Sequence, residues 1–274
     1  MRQEVIDVRL IDWNRVWQTR RSRRSSPRRD TDFWDGRAIS FAKSRAESGY
    51  ADLVLAIMSP RTEWTVLDMG CGSGVLTIPL AQAVTRVTAV DMSKEMLAAV
   101  RARCEDKGID NVVTLQGRWE DDWEKLGIEV HDVAIASRSM VTEDLRSSVL
   151  KLNGAARKQV YIVTVVGDGP YDRRLFEAIG RPLNAEPDYI YNYNMLYQMG
   201  ILANVALIEE PRNRAYESPQ EAFESVQWMF GGLNPREEER LRAYVGDHLV
   251  FSGGCWKFSY DRVIRWAVIW WKKG

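Results

Sequence analysis

A glycine-rich turn behind an apolar run is the feature that most constrains this chain. The run from Val66 to Met69 is apolar apart from Asp68, and glycines follow at positions 70, 72 and 74. Glycine permits positive φ angles and lets a ligand approach the backbone closely, because it has no Cβ. A helical pattern begins directly after the turn. The stretch therefore predicts a buried strand, a tight turn and a helix, with a ligand at the carboxyl end of the strand.

The residues around this turn argue against two common nucleotide-binding motifs. Val75 stands where the dinucleotide fingerprint GxGxxG needs a small residue that packs against the strand. No Lys-Ser or Lys-Thr pair follows the turn, which excludes a P-loop. For the glycines taken alone, a turn without any ligand remains the alternative.

An acidic residue ends the next predicted strand. Asp91 follows the apolar run Val87 to Val90 and stands 21 residues after Gly70. A carboxylate at the tip of the neighbouring strand can accept hydrogen bonds from both hydroxyls of a ribose. The alternative is a helix cap, since a helix is predicted from about Ser93. Together with the glycine turn, the spacing favours the ribose interpretation.

Short apolar runs alternate with helical patterns along the chain, which is typical of parallel βαβ units. We predict strands near 64–68, 87–91, 112–116, 132–137 and 159–166. We predict helices near 74–84, 93–106, 142–152 and 171–180. Further along we predict a helix over 188–200, a strand over 204–209, two helices over 218–230 and 235–245, and a closing strand from Val263 to Trp271. The fold class is therefore α/β with a doubly wound sheet.

The segments Val66 to Gly74 and Val90 to Ser93 resemble the first two motifs of the class I S-adenosylmethionine-dependent methyltransferases. The similarity continues through Val112 to Trp119 and His131 to Ser137, and it covers roughly residues 33–210. The resemblance implies a seven-stranded, mostly parallel, Rossmann-like sheet. Its last strand would be antiparallel, here Val263 to Trp271. The resemblance also implies S-adenosylmethionine as the cofactor.

The resemblance also assigns candidate cofactor-binding residues. These are Asp68, Gly70, Cys71, Gly72, Gly74, Asp91, Met92, Trp119, Glu120 and Ser137. Asp68 and the turn would hold the amino-acid end of the cofactor, Asp91 the ribose, and Met92 the adenine. Many relatives carry Asp where this chain has Arg118, and a guanidinium cannot accept a hydrogen bond from the adenine amino group. Glu120, or the backbone near Trp119, is expected to substitute, although Trp119 could equally be a core residue.

The acceptor is narrowed only by elimination. The segment after the fourth strand lacks the Asn-Pro-Pro-Tyr signature of methylases that act on DNA adenine or protein glutamine. It also lacks the Pro-Cys pair of cytosine C5 methylases, and no acidic cluster suggests a metal site. We therefore expect a small-molecule acceptor and no metal. The candidate acceptor-binding residues are Trp34, Arg138, Tyr191 and Tyr193. Arg138 could pair with a carboxylate or phosphate or be an ordinary solvated arginine, and the tyrosine spacing also fits core packing.

The distribution of charge leaves alternatives to a small-molecule enzyme. The 38 basic residues balance the 38 acidic residues, so no overall field attracts polyanions. A basic arm from Arg20 to Asp30 is predicted to be disordered and is part of an N-terminal segment, residues 1–32. We expect a methyltransferase domain over residues 33–274, with a helical insert near 211–250. RNA or protein methylation through this arm, or a non-catalytic scaffold that binds the cofactor, are the alternatives to a small-molecule enzyme.

The sequence says less about the cellular location of the protein and about residues that could transfer protons. Three cysteines without a CxxC pair suggest a reducing compartment. We find neither a signal peptide nor a long apolar run, so we expect a cytoplasmic protein that does not bind a membrane. The chain has two histidines: His131 is expected to be structural, and His248 to lie on the surface. A catalytic base is not required by the sequence.

Overall fold

The computed structural model describes residues 7–23, 31–35, 49–212 and 214–274, and its centre is a seven-stranded sheet. The strands are β1 (Thr65–Met69), β2 (Arg86–Asp91), β3 (Val112–Gln116), β4 (His131–Ser137), β5 (Ala156–Val165), β6 (Asn204–Pro211) and β9 (Val263–Lys272). They lie in the order β3-β2-β1-β4-β5-β9-β6. A separate hairpin pairs β7 (Leu249–Ser252) with β8 (Cys255–Phe258).

The α-helices of the described residues flank this sheet. They are α1 (Trp13–Ser22), α2 (Thr31–Asp35), α3 (Tyr50–Met58), α4 (Thr77–Ala81), α5 (Lys94–Asp106), α6 (Leu145–Gly154), α7 (Arg173–Ile179), α8 (Tyr189–Gln198), α9 (Pro219–Gln227) and α10 (Pro235–Asp247). A short 3-10 helix spans Val8–Leu10. Polar residues begin most of them: the side chains of Ser93, Asp144, Asp172, Asp188, Ser218 and Asn234 each accept a hydrogen bond from the first turn of their helix.

The strand directions confirm the predicted fold class. β1 pairs in parallel with β2 and β4, and β2 with β3 and β4 with β5 are also parallel. β9 runs antiparallel to both β5 and β6. Because parallel strands end at the same edge, Met69, Asp91 and Ser137, the last residues of β1, β2 and β4, lie along one side of the sheet. That edge is where ligands bind in open α/β sheets.

Both faces of the sheet are buried, which explains why most residues of its central strands are apolar. Leu67 and Ala134 belong to a core cluster on one face. Val66, Val133 and Ile135 belong to a cluster on the opposite face. Successive residues of a strand point to opposite sides, so each strand contributes to both clusters.

The N-terminal helix α1 packs into the body of the protein. Asp12 caps the helix by accepting a hydrogen bond from the backbone of Arg15. Trp17 is only 2% exposed, and its Nε1 donates to the carbonyl of Thr142 at 2.8 Å. Arg21 forms an ion pair with Glu186 at 3.7 Å.

The predicted start of the basic arm is therefore wrong. Arg20, Arg21 and Ser22 belong to α1, because the buried Trp17 holds the helix against the body and overrides the polar composition of its last turn. Residues 24–30, the rest of the predicted arm, lie outside the described residues. The same is true of residues 36–48.

Trp17→Phe is expected to lower the free energy of unfolding by about 1 to 2 kcal/mol, because the carbonyl of Thr142 loses its indole donor in a buried setting. Trp13→Phe is the matched control, since Trp13 donates to Val8 at an exposed position. Urea denaturation of both variants measures the difference. Equal losses for the two tryptophans would contradict the packing of α1.

The region after β6 has a hydrophobic core of its own. Helices α9 and α10 are followed by the β7–β8 hairpin, which the sequence pattern did not indicate. Phe223 and Val226 of α9 and Leu241 of α10 are buried against Phe176 of α7. Arg181 adds polar contacts, since its guanidinium donates to both carboxylate oxygens of Glu237. The insert is thus fixed to the sheet domain through α7.

Candidate functional site

A cavity lies against the glycine turn at the carboxyl edge of the sheet, and we call it the glycine-turn cavity. Its volume is about 130 Å³. Eight of the ten predicted cofactor-binding residues line it: Gly70, Cys71, Gly72, Asp91, Met92, Trp119, Glu120 and Ser137. Met69, Val75, Met96, Arg118 and Ser139 also contribute to its wall, although they were not predicted. Asp68 and Gly74 do not reach it.

The turn itself needs glycine at its first position. Gly70 has a φ of +73°, and a Cβ built on it would lie 2.3 Å from the Cβ of Ser139. The hydroxyl of Ser139 donates to the carbonyl of Met69, and the backbone N–H groups of Gly70 and Cys71 both donate to the carbonyl of Val90. These bonds fix the turn between the ends of β1, β2 and β4. The absence of a side chain at Gly70 is what permits this approach.

Asp91 links the end of β2 to the turn. One carboxylate oxygen accepts from the N–H of Gly72 at 2.8 Å, and the other accepts from the N–H of Ser93 at 2.9 Å. The side-chain cap of α5 is Ser93, whose hydroxyl accepts from the N–H of Met96. Burial raises the pKa of Asp91, while the N–H groups of Ser93 and Gly72 hold it down. Each oxygen keeps a further lone pair that can accept from a ligand.

Asp68 lies beneath the turn rather than on the cavity wall. It is 2% exposed and accepts a hydrogen bond from the hydroxyl of Thr77 at 2.7 Å. Burial raises its pKa to about 6, against the effect of the Thr77 hydrogen bond. Gly74 is also turned away, since a Cβ there would face Val100. The structure therefore supports an indirect role for both residues, in the shape of the turn.

Asp68→Asn is expected to raise the free energy of unfolding at neutral pH. Because folding raises the pKa of Asp68 to about 6, this carboxyl favours the folded state while protonated, below about pH 4, and that contribution is lost as the pH rises through about 6. The shift corresponds to about 2 to 3 kcal/mol. Asparagine carries no charge and can still accept from Thr77.

Urea denaturation from pH 4 to pH 7 tests this: the advantage of Asp68→Asn over the parent protein should grow with pH. The exposed Asp110 offers a control, and Asp110→Asn should show no such trend. A constant difference between Asp68→Asn and the parent would contradict the expected ionisation of a buried carboxyl.

The part of the cavity wall formed by residues 118–120 is aromatic and partly charged. Trp119 is 7% exposed, and its Nε1 donates to the carbonyl of Ser139 at 2.7 Å. It also contacts Trp123, so it serves both as wall and as core. Glu120 has an exposed side chain at the rim. The guanidinium of Arg118 donates to Thr31 at 2.7 Å.

Helix α2 lies over the cavity, a feature that sequence reasoning missed. Ser93 donates to the carboxylate of Asp35 at 2.5 Å, and Arg118 holds Thr31 at the other end of the helix. Trp34 thereby lines the glycine-turn cavity. The sequence had suggested Trp34 as an acceptor-binding residue. Phe33 meets the Trp34 ring edge-on with 5.1 Å between ring centroids.

A second, larger cavity adjoins the first, and we call it the arginine cavity. Its volume is about 460 Å³. Its charged and aromatic lining comes from both ends of the chain and includes Trp17, Arg21, Trp34, Arg138, Arg212, Arg214, Trp228, Arg262 and Trp266. Trp34, Arg138 and Val141 line both cavities. The insert contributes Glu224 and Ser225 of α9, so it does border this site.

Arg138 stands at the junction of the two cavities in a strained backbone conformation. Its φ is +57°, and its N–H donates to the carbonyl of Val163 at 2.7 Å. The guanidinium lies 4.0 Å from the centroid of the Tyr50 ring and 5.3 Å from that of Trp266. The Tyr50 hydroxyl in turn shares a hydrogen bond with Ser137 at 2.6 Å. The aromatic rings orient the arginine along the wall.

Comparisons with known proteins identify the family. Residues 66–153 match the family model described as a methyltransferase domain. An uncharacterized protein of Haemophilus influenzae is 34% identical over 241 residues, which cover 87% of this chain and 88% of that protein. The chain belongs to the class I methyltransferase family. Both the expected family and the expected sheet are thus confirmed.

Two further proteins are similar to this chain at lower sequence identity. The YcgJ protein of Bacillus subtilis shares the fold with a TM-score of 0.54 and 17% identity, over 81% of this chain and 97% of that one. The ribosomal RNA small subunit methyltransferase C of Salmonella arizonae is 28% identical over 47% of this chain and 39% of its own length. Less than half of that relative is therefore matched by this member of the methyltransferase family.

Several predicted residues lie elsewhere in this methyltransferase fold. Tyr191 and Tyr193 are absent from the lining of both cavities, and Tyr191 instead meets the rings of Trp13 and Trp17. His131 is fully buried and hydrogen-bonded to Thr88, as its structural role required. The other histidine, at position 248, ends α10 and stacks on Tyr244.

The described part of the chain holds no group of three or more His, Cys, Asp or Glu side chains placed to share a metal ion. Among the same residues, no helix is both long and apolar enough to cross a membrane. All three cysteine thiols are free.

Proposed function

We propose that this protein transfers a methyl group from S-adenosylmethionine, bound in the glycine-turn cavity, to a small molecule bound in the arginine cavity. The observation that carries the proposal is that the two cavities meet at Trp34, Arg138 and Val141. S-adenosylmethionine supplies a methyl group bonded to a positively charged sulfur. The protein's task is then to align donor and acceptor and to exclude water.

The residues of the glycine-turn cavity fit this cofactor. Asp91 presents carboxylate oxygens with free lone pairs, which suits the two hydroxyls of a ribose. Met92, Met96 and Trp119 give an apolar wall suited to a purine ring. Gly70 and Gly72 have no side chains and line the cavity, so a ligand can reach the backbone of the turn there.

Alignment would be the main contribution of the chain's own residues. Neither histidine lines a cavity, so no imidazole of the described residues is placed to take a proton from an acceptor. Asp168, Glu186 and Glu224 line the arginine cavity and are the carboxylates there that could do so. An acceptor that is already deprotonated would need none of them.

A small acceptor is favoured over RNA or protein by the shape of the site. The arginine cavity has a volume of about 460 Å³, within the usual range of small-molecule pockets, about 300 to 1,000 Å³. Arg21, expected in an RNA-gripping arm, lines this cavity and pairs with Glu186. The relative that acts on ribosomal RNA is matched over only 39% of its length.

The direct test is to incubate the protein and methyl-labelled S-adenosylmethionine with a cell extract. Mass spectrometry then locates the label in the small-molecule, RNA and protein fractions. We expect it in the small molecules. Label confined to RNA or protein would replace the proposed acceptor class, and cofactor binding without any transfer would support a scaffold instead.

A further inference from the structure

We infer that the methyl acceptor is an anionic small molecule whose carboxylate or phosphate group is held by Arg138 and Arg212 in the arginine cavity. This inference rests on the proposed function, because it takes the arginine cavity as the acceptor site. It goes further by naming the chemical class of the acceptor and the residues that select it.

Two arginines of the cavity, Arg138 and Arg212, have buried N–H donors without hydrogen-bond partners among the described residues. Arg214 pairs with Glu221 at 2.8 Å, and Arg262 pairs with Asp172 at 3.3 Å. Arg138 forms no ion pair with a carboxylate of the described residues, and its Nη1 is buried without a hydrogen-bond partner there.

Arg212 is paired on one side only. Its Nη2 lies 2.9 Å from a carboxylate oxygen of Glu210, but its Nε is buried and has no partner among the residues that the structure describes. Buried polar groups nearly always have partners, and a charged donor without one is costly. An oxyanion between Arg138 and Arg212 would supply acceptors to both, in the charge-assisted geometry that guanidinium groups favour.

The charges around Arg212 point the same way. Burial lowers the pKa of Arg212, Glu210 opposes that effect, and the neighbouring positive charges of Arg138 and Arg262 lower the pKa further. Positive charges that lie so close together repel each other, and an anion between or beside them would offset that repulsion. Five arginines line the cavity against three carboxylates, Asp168, Glu186 and Glu224. One of these, Asp168, is already held by Arg173, which is outside the lining.

The position of Arg138 connects this anion site to methyl transfer. Arg138 lines both cavities, so a group bound to it lies beside the proposed cofactor site. Trp34 and Trp266 give flat apolar surfaces next to it. A molecule with an anionic group and a ring or other apolar body therefore matches the lining, whereas an uncharged molecule would leave the positive charges of the two guanidinium groups without a counter-charge.

Three aromatic probes of similar size test the inference: benzoate, phenyl phosphate and the uncharged benzyl alcohol. Calorimetric or NMR titrations of the full chain, with and without S-adenosylhomocysteine, measure their affinities. Titrations should reach about the millimolar range, because probes this small make few contacts. We expect at least one anion to bind about tenfold or more tightly than benzyl alcohol.

The variants assign that preference to residues. Arg212→Met should remove it without altering S-adenosylhomocysteine affinity, since Arg212 does not line the glycine-turn cavity. Arg138→Met should also remove it, and Arg138→Lys, which keeps the charge, should retain part of it. The matched control is Arg236→Met, because Arg236 is exposed and lies outside both linings. Melting temperatures verify that each variant is folded.

Three outcomes would overturn the inference: equal binding of anionic and neutral probes, no binding of either anion, or an anion preference that survives in Arg212→Met. An RNA oligonucleotide that displaces benzoate, with affinity falling steeply as salt rises, would also overturn it in favour of a polyanionic acceptor. Failure of S-adenosylhomocysteine to bind would count against the proposed function alone, because the probe titrations without it still report on the arginines.

Discussion

Gly70→Ala is expected to abolish detectable cofactor binding and to lower the free energy of unfolding by about 2 to 5 kcal/mol. The added Cβ would lie 2.3 Å from the Cβ of Ser139 and 2.8 Å from its hydroxyl oxygen. The φ of +73° adds strain for any residue with a side chain. To relieve the overlap, the turn must move away from the end of β4, and its backbone would leave the cavity wall.

Gly108→Ala separates strain from overlap. Gly108 has a φ of +63°, but a Cβ there would meet nothing within 4 Å. We expect it to cost about 1 to 2 kcal/mol in stability and to leave cofactor affinity unchanged. Thermal denaturation and calorimetric titration with S-adenosylmethionine measure both effects. Equal behaviour of the two alanine variants would show that the contact with Ser139 does not define the site.

Asp91→Ala is expected to weaken S-adenosylmethionine binding by about 2 to 4 kcal/mol, as when a charged acceptor of two hydrogen bonds is removed. The structure adds a cost to the fold, because the N–H groups of Gly72 and Ser93 lose their acceptor. The loss of stability should therefore exceed the roughly 1 kcal/mol of a helix cap.

Asp144→Ala provides the comparison, since Asp144 caps α6 and lies outside the cavity lining. It should lose about 1 kcal/mol of stability and keep full cofactor affinity. If Asp91→Ala behaved like Asp144→Ala in both measurements, Asp91 would be a structural residue and not a ligand of the cofactor.

The glycine turn and Asp91 could be predicted because their signals are local. The need for positive φ at Gly70 and the position of Asp91 at a strand end follow from a few adjacent residues. The alternation of apolar runs and helical patterns likewise predicted the parallel strands, whereas the antiparallel direction of the closing strand was implied by the resemblance to the methyltransferase family. The position of Asp68 beneath the turn could not be predicted, because the pattern shows that a residue is in a strand but not which face of the strand carries the ligand.

Features made by distant residues could not be predicted in this way. Helix α1 ends in a basic stretch, and contacts with residues far away in the sequence, such as Trp17 with Thr142 and Arg21 with Glu186, hold it in place. The arginine cavity combines Arg21 with Arg138 and Arg212, which no spacing connects. The tyrosine at position 191 lies on a helix face whose spacing fits a core and a pocket equally well, and its observed contacts are with Trp13 and Trp17.

A calorimetric titration of the parent protein and Asp91→Ala with S-adenosylmethionine tests the central claim most directly, because Asp91 joins the glycine turn to the proposed ribose site. The account predicts one binding site in the parent protein and an affinity about 30-fold to 1,000-fold lower in a folded Asp91→Ala. Absence of binding to the parent protein, or equal affinity in the two proteins, would contradict it.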